Sequence, residues 1–470
     1  MNKEIWFLVG SVEFYGEEAL ESVRKQAQEM VAFWNKGKYF PYPIVLQELG
    51  ISANKIEETI KKANYDNNVL GLMTWMHTFS PAKSWIKGLK ILQKPLLHIA
   101  TQFNEEVPWE SIDMDFMNLN QSAHGDREFG FICKRLEIPR NVVVGHWQDL
   151  EVIQEVSQWL KLIQTKAFSE QIRVARFGDN MRNVADTEGD KVAAAIQFGW
   201  TVDYYGIGDL VNLINQIPET EVDELFELYQ TEYKFEQQEN TWADYVKAIK
   251  EQGRIELALR KFLIENNYQA FTTNFEDLHG MNQLPGLAVQ RLMAEGYGFA
   301  GEGDWKTAAL VAILKVLANQ NETGFMEDYT YNLKNKQEYI VGAHMLEVDP
   351  TLAKDQPTVI VSPLGIGNRA DPARLVFSGK AGEGIVCSMI HLNQGYQLII
   401  NEIEALEIKS DAPKLPVGRV AWRPKPNFKK GVKKWLEAGG GHHTVYSLAL
   451  TVEELVALCQ IIKLDYQLID

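Results

Sequence analysis

The feature that most constrains this chain is an alternation of short apolar runs with helical segments before Gly324. Ile5–Val9, Val69–Met73 and Leu96–Ala100 are short and almost wholly apolar, as buried strands are. Between the first two, Glu17–Trp34 places its apolar residues at the spacing of one helix face. Buried strands that alternate with helices are typical of parallel sheets covered by helices on both faces. The pattern therefore predicts an α/β fold.

A second α/β unit is predicted from Gln171 onward, where the alternation restarts. Its predicted strands and helices are Ile172–Ala175, Gly189–Phe198, Val202–Tyr205, Glu251–Asn266, Ala270–Thr273 and Asp304–Ala318. After Gly324 strand-like runs dominate, among them Thr358–Val361 and Arg374–Phe377, and only one helix is predicted, over Val452–Ile462. The predicted domains are residues 1–170 (N-terminal α/β), residues 171–323 (central α/β) and residues 324–470 (C-terminal β-rich barrel).

The composition argues against several classes of protein. A formal net charge of −16 and a pI near 5.2 do not suit binders of nucleic acid or of anionic membranes, which need a basic surface. The first apolar run is too short for a signal peptide, and no run of about 18 apolar residues is present to span a membrane. Cys133, Cys387 and Cys459 are widely spaced, as reduced thiols are. We therefore expect a cytoplasmic protein that binds neither nucleic acid nor membrane.

Glu302 is the first candidate for a functional side chain. It stands between Gly301 and Gly303, directly before a predicted helix. Asp304 is explained as the N-cap of that helix, because a side-chain oxygen at this position accepts a backbone N–H of the first turn. Glu302 is not explained in this way, because flanking glycines indicate close backbone approach or unusual dihedral angles.

The other candidates lie in the β-rich part of the chain. Glu327 is an acid among apolar residues, so it lies either at an exposed strand end or buried beside a partner. His344 follows the apolar run Val341–Ala343, where a single histidine is more often structural than a ligand. His442 and His443 follow a run of glycines. Adjacent residues of an extended segment point in different directions, so only one of these two imidazoles is expected to bind a metal.

Two carboxylates and one or two imidazoles form an oxygen and nitrogen ligand set without thiolate. Such a set suits Mn²⁺, Co²⁺ or Mg²⁺, with water or substrate oxygens completing the coordination. The candidate residues are far apart in the chain, so no local motif joins them. On the residues alone, a metal site and a set of unrelated structural side chains both remain open.

These segments, with others spread through the chain, resemble the L-arabinose isomerases. The matching segments are Trp75–Lys83, Ser111–Asn120, Gly145–Asp149, Arg176–Arg182, Thr272–Gly280, Leu284–Arg291, Gly296–Ala309, Phe325–Tyr331, His344–Val348, Leu364–Gly367 and Gly440–Val445. Many long matches in one fixed order are specific to a family, so the sequence is identified as a member of this one.

The resemblance implies a fold, a metal site and an assembly. The implied fold is two Rossmann-like (flavodoxin-like) doubly wound domains followed by a β-barrel, the architecture of the fucose and arabinose isomerases. The implied metal is Mn²⁺, with Co²⁺ or Mg²⁺ as substitutes, and its implied ligands are Glu302, Glu327, His344 and His443. The matched substrate-pocket positions are Tyr15, Phe79, His124, Met181, Phe275, Ile366 and His442. The family commonly forms homohexamers with each site at a subunit contact, where Phe79 and His124 reach in from a neighbour.

The activity that the resemblance implies is the interconversion of L-arabinose and L-ribulose, and of D-galactose and D-tagatose, through a cis-enediol. Glu302 is expected to act as the base, with Glu327 as its partner. His442 is expected to orient His443. Val12 stands where the family has an amide that bonds sugar hydroxyls, so the sugar preference is expected to differ.

Three alternatives to this function remain. The first is a related isomerase of the fucose type, or one tuned to a hexose such as galactose. The second is a non-catalytic sugar-binding protein, because paired α/β domains also close around a ligand without transforming it. Such proteins are typically exported and need no metal. The third is a metal-dependent hydrolase, which needs a ligand position kept for water.

Overall fold

The computed structural model describes residues 3–236, 241–366 and 368–470. The chain divides into two compact units, Met1–Ala167 and Phe168–Asp470. In the described residues the first unit contains one sheet and the second unit contains three, and each unit has its own buried apolar side chains. The second unit contains both the second parallel sheet and the β-rich part, so the division into three domains at residues 170 and 323 stays a prediction.

The first unit is a parallel α/β sheet. Its elements are β1 (Glu4–Gly10), α1 (Glu17–Gly37), β2 (Ile44–Leu46), α2 (Ala53–Tyr65), β3 (Val69–Met76), α3 (Ile86–Ile91), β4 (Leu96–Ala100), α4 (Met114–Leu119), α5 (Ser122–Arg135), β5 (Asn141–Val144) and α6 (Leu150–Ser169), the last of which runs across the boundary. The strands pair in the order β2-β1-β3-β4-β5. This is the flavodoxin-like order, which confirms the expected Rossmann-like architecture for this unit.

Burial explains why these segments form these elements. Every residue of β3 is buried, which is why its sequence is a continuous apolar run rather than an alternating one. Helix α1 buries one face through Leu20, Val23, Ala27, Met30 and Trp34. These residues, with the partly buried Val31, have the spacing that predicted the helix.

A second parallel sheet opens the second unit. The elements are β6 (Arg173–Phe177), α7 (Lys191–Phe198), β7 (Thr201–Tyr205), α8 (Ile207–Ile214), α9 (Glu219–Glu232), β8 (Lys234–Phe235), α10 (Trp242–Glu265), β9 (Ala270–Thr273), α11 (Leu287–Ala294), β10 (Gly298–Ala300) and α12 (Trp305–Leu317). Strands pair in the order β10-β9-β6-β7, all parallel. The carboxyl ends of β6, β9 and β10 therefore lie at one edge of the sheet, where ligands bind in folds of this kind.

The rest of the second unit is dominated by antiparallel strands. Its elements are β11 (Thr323–Asn332), β12 (Tyr339–Ala343), β13 (Thr358–Val361), β14 (Ala373–Val376), β15 (Gly382–Leu392), β16 (Gly395–Ala405), β17 (Arg419–Pro424), α13 (Phe428–Glu437), β18 (His443–Ser447), α14 (Val452–Ile462) and β19 (Asp465–Ile469). The strands β15, β18, β11, β12, β17 and β16 pair in that order, and β16 pairs back to β15. The ring closes into a barrel, which confirms that prediction. The finer likeness to the fucose isomerases stays a prediction.

Two features of the β-rich part differ from the sequence-based expectation. The segments predicted as strands at Thr358–Val361 and Arg374–Phe377 form β13 and β14, which pair with each other outside the barrel, and β13 also pairs with β8. The prediction of a single helix is wrong, because α13 forms as well. Helix α13 was missed because its four lysines equal its apolar residues in number, yet Asn427 caps it and Phe428, Gly431 and Trp435 form a buried stripe.

Helix α12 joins the two parts of the second unit. It contacts β9 and β10 of the parallel sheet and also β11 and β18 of the barrel. Nearly every one of its residues is buried, including Lys306 and Lys315. Among the described residues, no helix is both long and apolar enough to cross a membrane.

Candidate active site

Glu302 is held by an unusual turn at the carboxyl end of β10. Its φ is +60°, and the next residue, Gly303, has φ +77°, a left-handed region that costs a residue with a Cβ atom about 1 kcal/mol or more. A Cβ at Gly303 would lie 2.5 Å from the carbonyl oxygen of Asp179. The carbonyl of Glu302 accepts a hydrogen bond from the Met181 amide over 2.9 Å. The sequence-based expectation of unusual dihedral angles here is confirmed.

The strand register of the barrel brings three other candidates together. Glu327 of β11 lies directly opposite His443 of β18. On its other side, Glu327 lies opposite Ala343 of β12, and His344 follows Ala343. Residues opposite each other on neighbouring strands have Cβ atoms about 4.5–5.5 Å apart. The register therefore places Glu327 beside His443, and His344 lies one residue beyond the partner of Glu327 on β12, although the three residues are distant in sequence.

Glu302 completes the group from the parallel sheet. Within the described residues, Glu302, His344 and His443 each offer one ligand atom, and these atoms lie within 4.8 Å of one another. Glu302 Oε2 is 3.8 Å from His443 Nε2, and Glu327 Oε2 is 4.0 Å from His344 Nε2. Glu302, His344 and His443 thus form one compact cluster, and Glu327 adjoins it at His344.

The polar atoms of this cluster fit a divalent cation. Glu302 Oε2 and His443 Nε2 are buried, and neither has a hydrogen-bond partner in the described part of the chain. Buried polar atoms normally have a partner, because leaving one unpaired costs about 1–3 kcal/mol. Phe325 lines the group, with its ring 5.0 Å from that of His344 and 4.9 Å from that of His443. A cation bound to this carboxylate and these imidazoles would supply the missing partner.

Each candidate imidazole ligand is held from behind by a carboxylate. His443 Nδ1 donates to Asp304 Oδ2 over 3.1 Å, and His344 Nδ1 donates to Glu347 Oε2 over 2.5 Å. A carboxylate only accepts hydrogen bonds, so each Nδ1 carries the hydrogen and each Nε2 is left to face the cluster. The expected role of His442 in orienting His443 stays a prediction, since the two rings lie 4.2 Å apart while Asp304 accepts the hydrogen bond from His443 Nδ1.

The charges of the cluster influence one another. Burial lowers the pKa of His443, and the neighbouring His442 and His344 act in the same direction while Asp304 opposes it. Burial alone would lower the pKa of His344, but Glu347, together with Glu327 and Glu302, more than offsets this and the pKa is raised. The pKa of each imidazole therefore depends on the carboxylate that accepts its Nδ1 hydrogen bond, Asp304 for His443 and Glu347 for His344.

His442 has a separate anchor. Asp186 Oδ2 accepts hydrogen bonds from both Nδ1 and the backbone N–H of His442, over 2.7 and 2.9 Å. Its Nε2 is 3.5 Å from Glu302 Oε2. Burial alone would lower the pKa of His442, but Asp186 and Glu302 together raise it to about 10. Asp186 thus holds His442 at the edge of the cluster, with Nε2 toward Glu302.

The expected pocket residues lie in both units. In the second unit, Met181 follows β6, Phe275 follows β9 and Ile366 lies between β13 and β14. All three side chains are partly buried. Of the segment Leu364–Gly367, Gly367 lies outside the described residues.

The remaining pocket residues belong to the first unit. Phe79 stacks on His124 with ring centroids 4.6 Å apart. The hydroxyl of Tyr15 donates to Gln121 Oε1 over 3.0 Å. Val12, the residue at which the first loop departs from the family, is partly buried.

Sequence reasoning missed Glu347 and Asp186, and it recognised Asp304 only as a helix cap. The cap is confirmed, because Asp304 accepts from the Thr307 amide. Glu347 follows His344 by three residues, a spacing that offered a weak signal. Asp186 and His442 are 256 residues apart, and no sequence signal connects them.

The buried carboxylates and imidazoles lie where a parallel α/β sheet meets a closed barrel. Such side chains are the acids and bases of enzymes that catalyse proton transfer. Comparison with known families identifies the particular one. The L-arabinose isomerase N-terminal, central and C-terminal domain models match residues 1–171, 173–320 and 322–465. The chain belongs to the L-arabinose isomerase family, and it is an isomerase.

Curated relatives agree with this assignment. L-arabinose isomerase 2 of Bacillus licheniformis is 58% identical over 467 residues, which cover 99% of this chain and 98% of the relative. L-arabinose isomerase 2 of Clostridium acetobutylicum is also 58% identical, with 99% and 96% covered. L-arabinose isomerase of Oceanobacillus iheyensis is 56% identical, with 99% and 98% covered.

Proposed function

We propose that this protein interconverts L-arabinose and L-ribulose at a divalent metal ion held by Glu302, Glu327, His344 and His443. The observation that carries the proposal is the buried cluster itself, in which Glu302 Oε2 and His443 Nε2 lack partners among the described residues. It is supported by relatives that are named L-arabinose isomerase over nearly the whole chain. Mn²⁺ is the proposed metal, and Co²⁺ or Mg²⁺ are substitutes with the same preference for oxygen and nitrogen ligands.

The side chains of the cluster divide the proton transfers between them. A bound divalent cation polarises the sugar oxygens and stabilises the charge that develops on them. Glu302 removes the proton from C2 of the open-chain aldose, which gives a cis-enediol, and the proton is returned at C1. Glu327 exchanges the proton between the two sugar oxygens. His442, whose pKa is raised to about 10, places a positive charge next to Glu302 and keeps its carboxylate ionised and ready to accept a proton.

In this proposal the pocket residues contact the sugar, and two of them reach the site from a neighbouring subunit. Met181, Phe275 and Ile366 line the substrate from the unit that carries the metal. The proposed assembly is a cytoplasmic homohexamer in which Phe79 and His124 reach the site of a neighbouring subunit. Their stacked rings supply a flat apolar surface for a sugar. D-Galactose and D-tagatose are the proposed second substrate pair.

Incubation of the metal-loaded protein with L-arabinose, followed by a ketose assay, tests the proposed function. We expect L-ribulose to form, and to form faster than D-tagatose from D-galactose or L-fuculose from L-fucose. A faster rate with a hexose would reassign the substrate. Binding of L-arabinose without any ketose would contradict the proposed catalysis. Sedimentation velocity tests the hexamer separately.

Removal of the metal should lower the thermal stability of the protein. A ligand that binds only the folded state stabilises it by about 2.7 kcal/mol at 100 times its dissociation constant. We expect the melting temperature to fall on treatment with EDTA and to return when Mn²⁺ is added. Calcium at the same concentration is the control, since it prefers more oxygen ligands than this cluster offers. A melting temperature that is independent of Mn²⁺ would contradict the metal site.

Gly301→Ala should weaken the metal site without straining the backbone. A Cβ at Gly301 would lie 2.8 Å from Cε1 and 3.0 Å from Nε2 of His344, so the His344 ring is expected to shift away from its position in the cluster. Displacement of one ligand is expected to weaken Mn²⁺ binding about 10-fold or more, measured by titration calorimetry. The matched control is Gly208→Ala on α8, where a Cβ meets no atom of the described residues within 4 Å. Equal Mn²⁺ affinities in the two variants would show that His344 is not a ligand.

A further inference from the structure

Lys306 is a buried cation next to the site that no step of the proposed reaction uses. It lies in the first turn of α12, and its side chain is almost wholly buried. Its Nζ donates to Asp304 Oδ1 over 2.9 Å. The start of a helix disfavours positive charge, and burial of an ammonium group disfavours it further. A lysine at this position therefore needs an explanation beyond the stability of the helix.

The contacts of Asp304 supply one. Oδ1 accepts from Lys306 Nζ and from the Thr307 amide over 3.1 Å. Oδ2 accepts from the Thr307 hydroxyl over 2.7 Å and from His443 Nδ1 over 3.1 Å. Both oxygens are thus occupied, and the carboxylate cannot rotate without breaking one of these contacts. Lys306 is the cation that offsets the negative charge of this fully buried group.

We propose that Lys306 is a positioning residue for the metal site, because it holds Asp304 in the orientation in which His443 donates from Nδ1 and presents Nε2 toward Glu302. The inference rests on the proposed function in one respect, the metal at the cluster. His443 Nε2 is buried and lies 3.8 Å from Glu302 Oε2. Without Lys306 the Asp304 carboxylate turns, and the imidazole loses the acceptor that fixes its tautomer.

The same helix offers a matched control. Lys315 of α12 is also fully buried, and its Nζ donates to Asp349 Oδ2 over 2.6 Å and to the carbonyl of Thr323 over 2.9 Å. Neither Lys315 nor Asp349 forms a hydrogen bond or ion pair with a candidate ligand in residues 3–236, 241–366 and 368–470. Loss of this lysine therefore disturbs a buried charge pair without disturbing His443.

The first experiment compares the Mn²⁺ affinities of the full-length wild type, Lys306→Met and Lys315→Met by electron paramagnetic resonance of the free ion. We expect about 10- to 100-fold weaker binding in Lys306→Met and no change in Lys315→Met. The absorption spectrum of bound Co²⁺ should also change only in Lys306→Met, because it reports the ligand geometry. An Mn²⁺ affinity of Lys306→Met equal to the wild type would overturn the inference. A wild type that binds no Mn²⁺ would instead contradict the proposed function.

The second experiment asks whether Lys306 acts through Asp304. In a double-mutant cycle, the effect of Lys306→Met on Mn²⁺ affinity should disappear in the Asp304→Asn background, because the two residues act on His443 as one unit. Equal effects of Lys306→Met in both backgrounds would overturn the inference. If a single variant does not fold, the double variant still tests the inference, because it leaves neither buried charge unpaired. It should bind Mn²⁺ about 10- to 100-fold more weakly than the wild type, and unchanged affinity would overturn the inference.

Discussion

Glu302→Gln should lower kcat for L-arabinose by about 10²- to 10⁴-fold, the usual contribution of a general base. Glutamine has the shape of glutamate and fits the same turn, so the fold is expected to persist. The amide cannot accept the C2 proton, and it is a poorer partner for a cation than the carboxylate. The buried Oε2 atom, 3.8 Å from His443 Nε2, is the atom whose chemistry changes. Ketose formation at saturating Mn²⁺ measures the rate, and circular dichroism checks the fold.

Two further variants test whether the loss of kcat is specific to Glu302. Glu227→Gln changes an exposed glutamate on α9 and should retain the wild-type rate. Glu327→Gln tests how the two carboxylates divide the work, and a larger loss of kcat there than in Glu302→Gln would reverse their roles. A wild-type rate in Glu302→Gln would exclude Glu302 as the base.

Lys315→Met should lower the free energy of unfolding by about 3–5 kcal/mol, the cost of leaving one member of a buried ion pair without its partner. Both Lys315 and Asp349 are fully buried, so water cannot replace the lost contact. Asp349 would keep the hydrogen bond from the Thr351 amide but lose its counter-charge. Urea-induced unfolding, followed by circular dichroism at one protein concentration, measures the change.

The double variant Lys315→Met with Asp349→Asn is the comparison for this prediction. The asparagine retains the acceptor for Thr351 and removes the unpaired charge. Neutral replacement of a buried pair is often close to neutral in stability, so the double variant should be more stable than Lys315→Met. If Lys315→Met unfolds at the same urea concentration as the wild type, the ion pair contributes no stability.

The sequence by itself determined the local elements and part of the site. Apolar periodicity located β1, α1 and α14 to within a few residues. A helix that buries one face has apolar residues at helical spacing, and a fully buried strand is a continuous apolar run. The glycines around Glu302 indicated the backbone conformation that the turn adopts. The assignment to the family also followed from sequence, since long matches in one order cover the chain.

Only the tertiary structure decided which distant side chains meet. The barrel register places Glu327 opposite His443, and the parallel sheet brings Glu302 to them. Asp304 and His443 are 139 residues apart, yet a single hydrogen bond between them orients the imidazole. The sequence predicted β13 and β14 as strands, but it did not predict that they form a separate sheet outside the barrel in which β13 pairs with β8. Periodicity reports whether a residue is buried within its own element, whereas its partners depend on pairing between elements that are far apart in the chain.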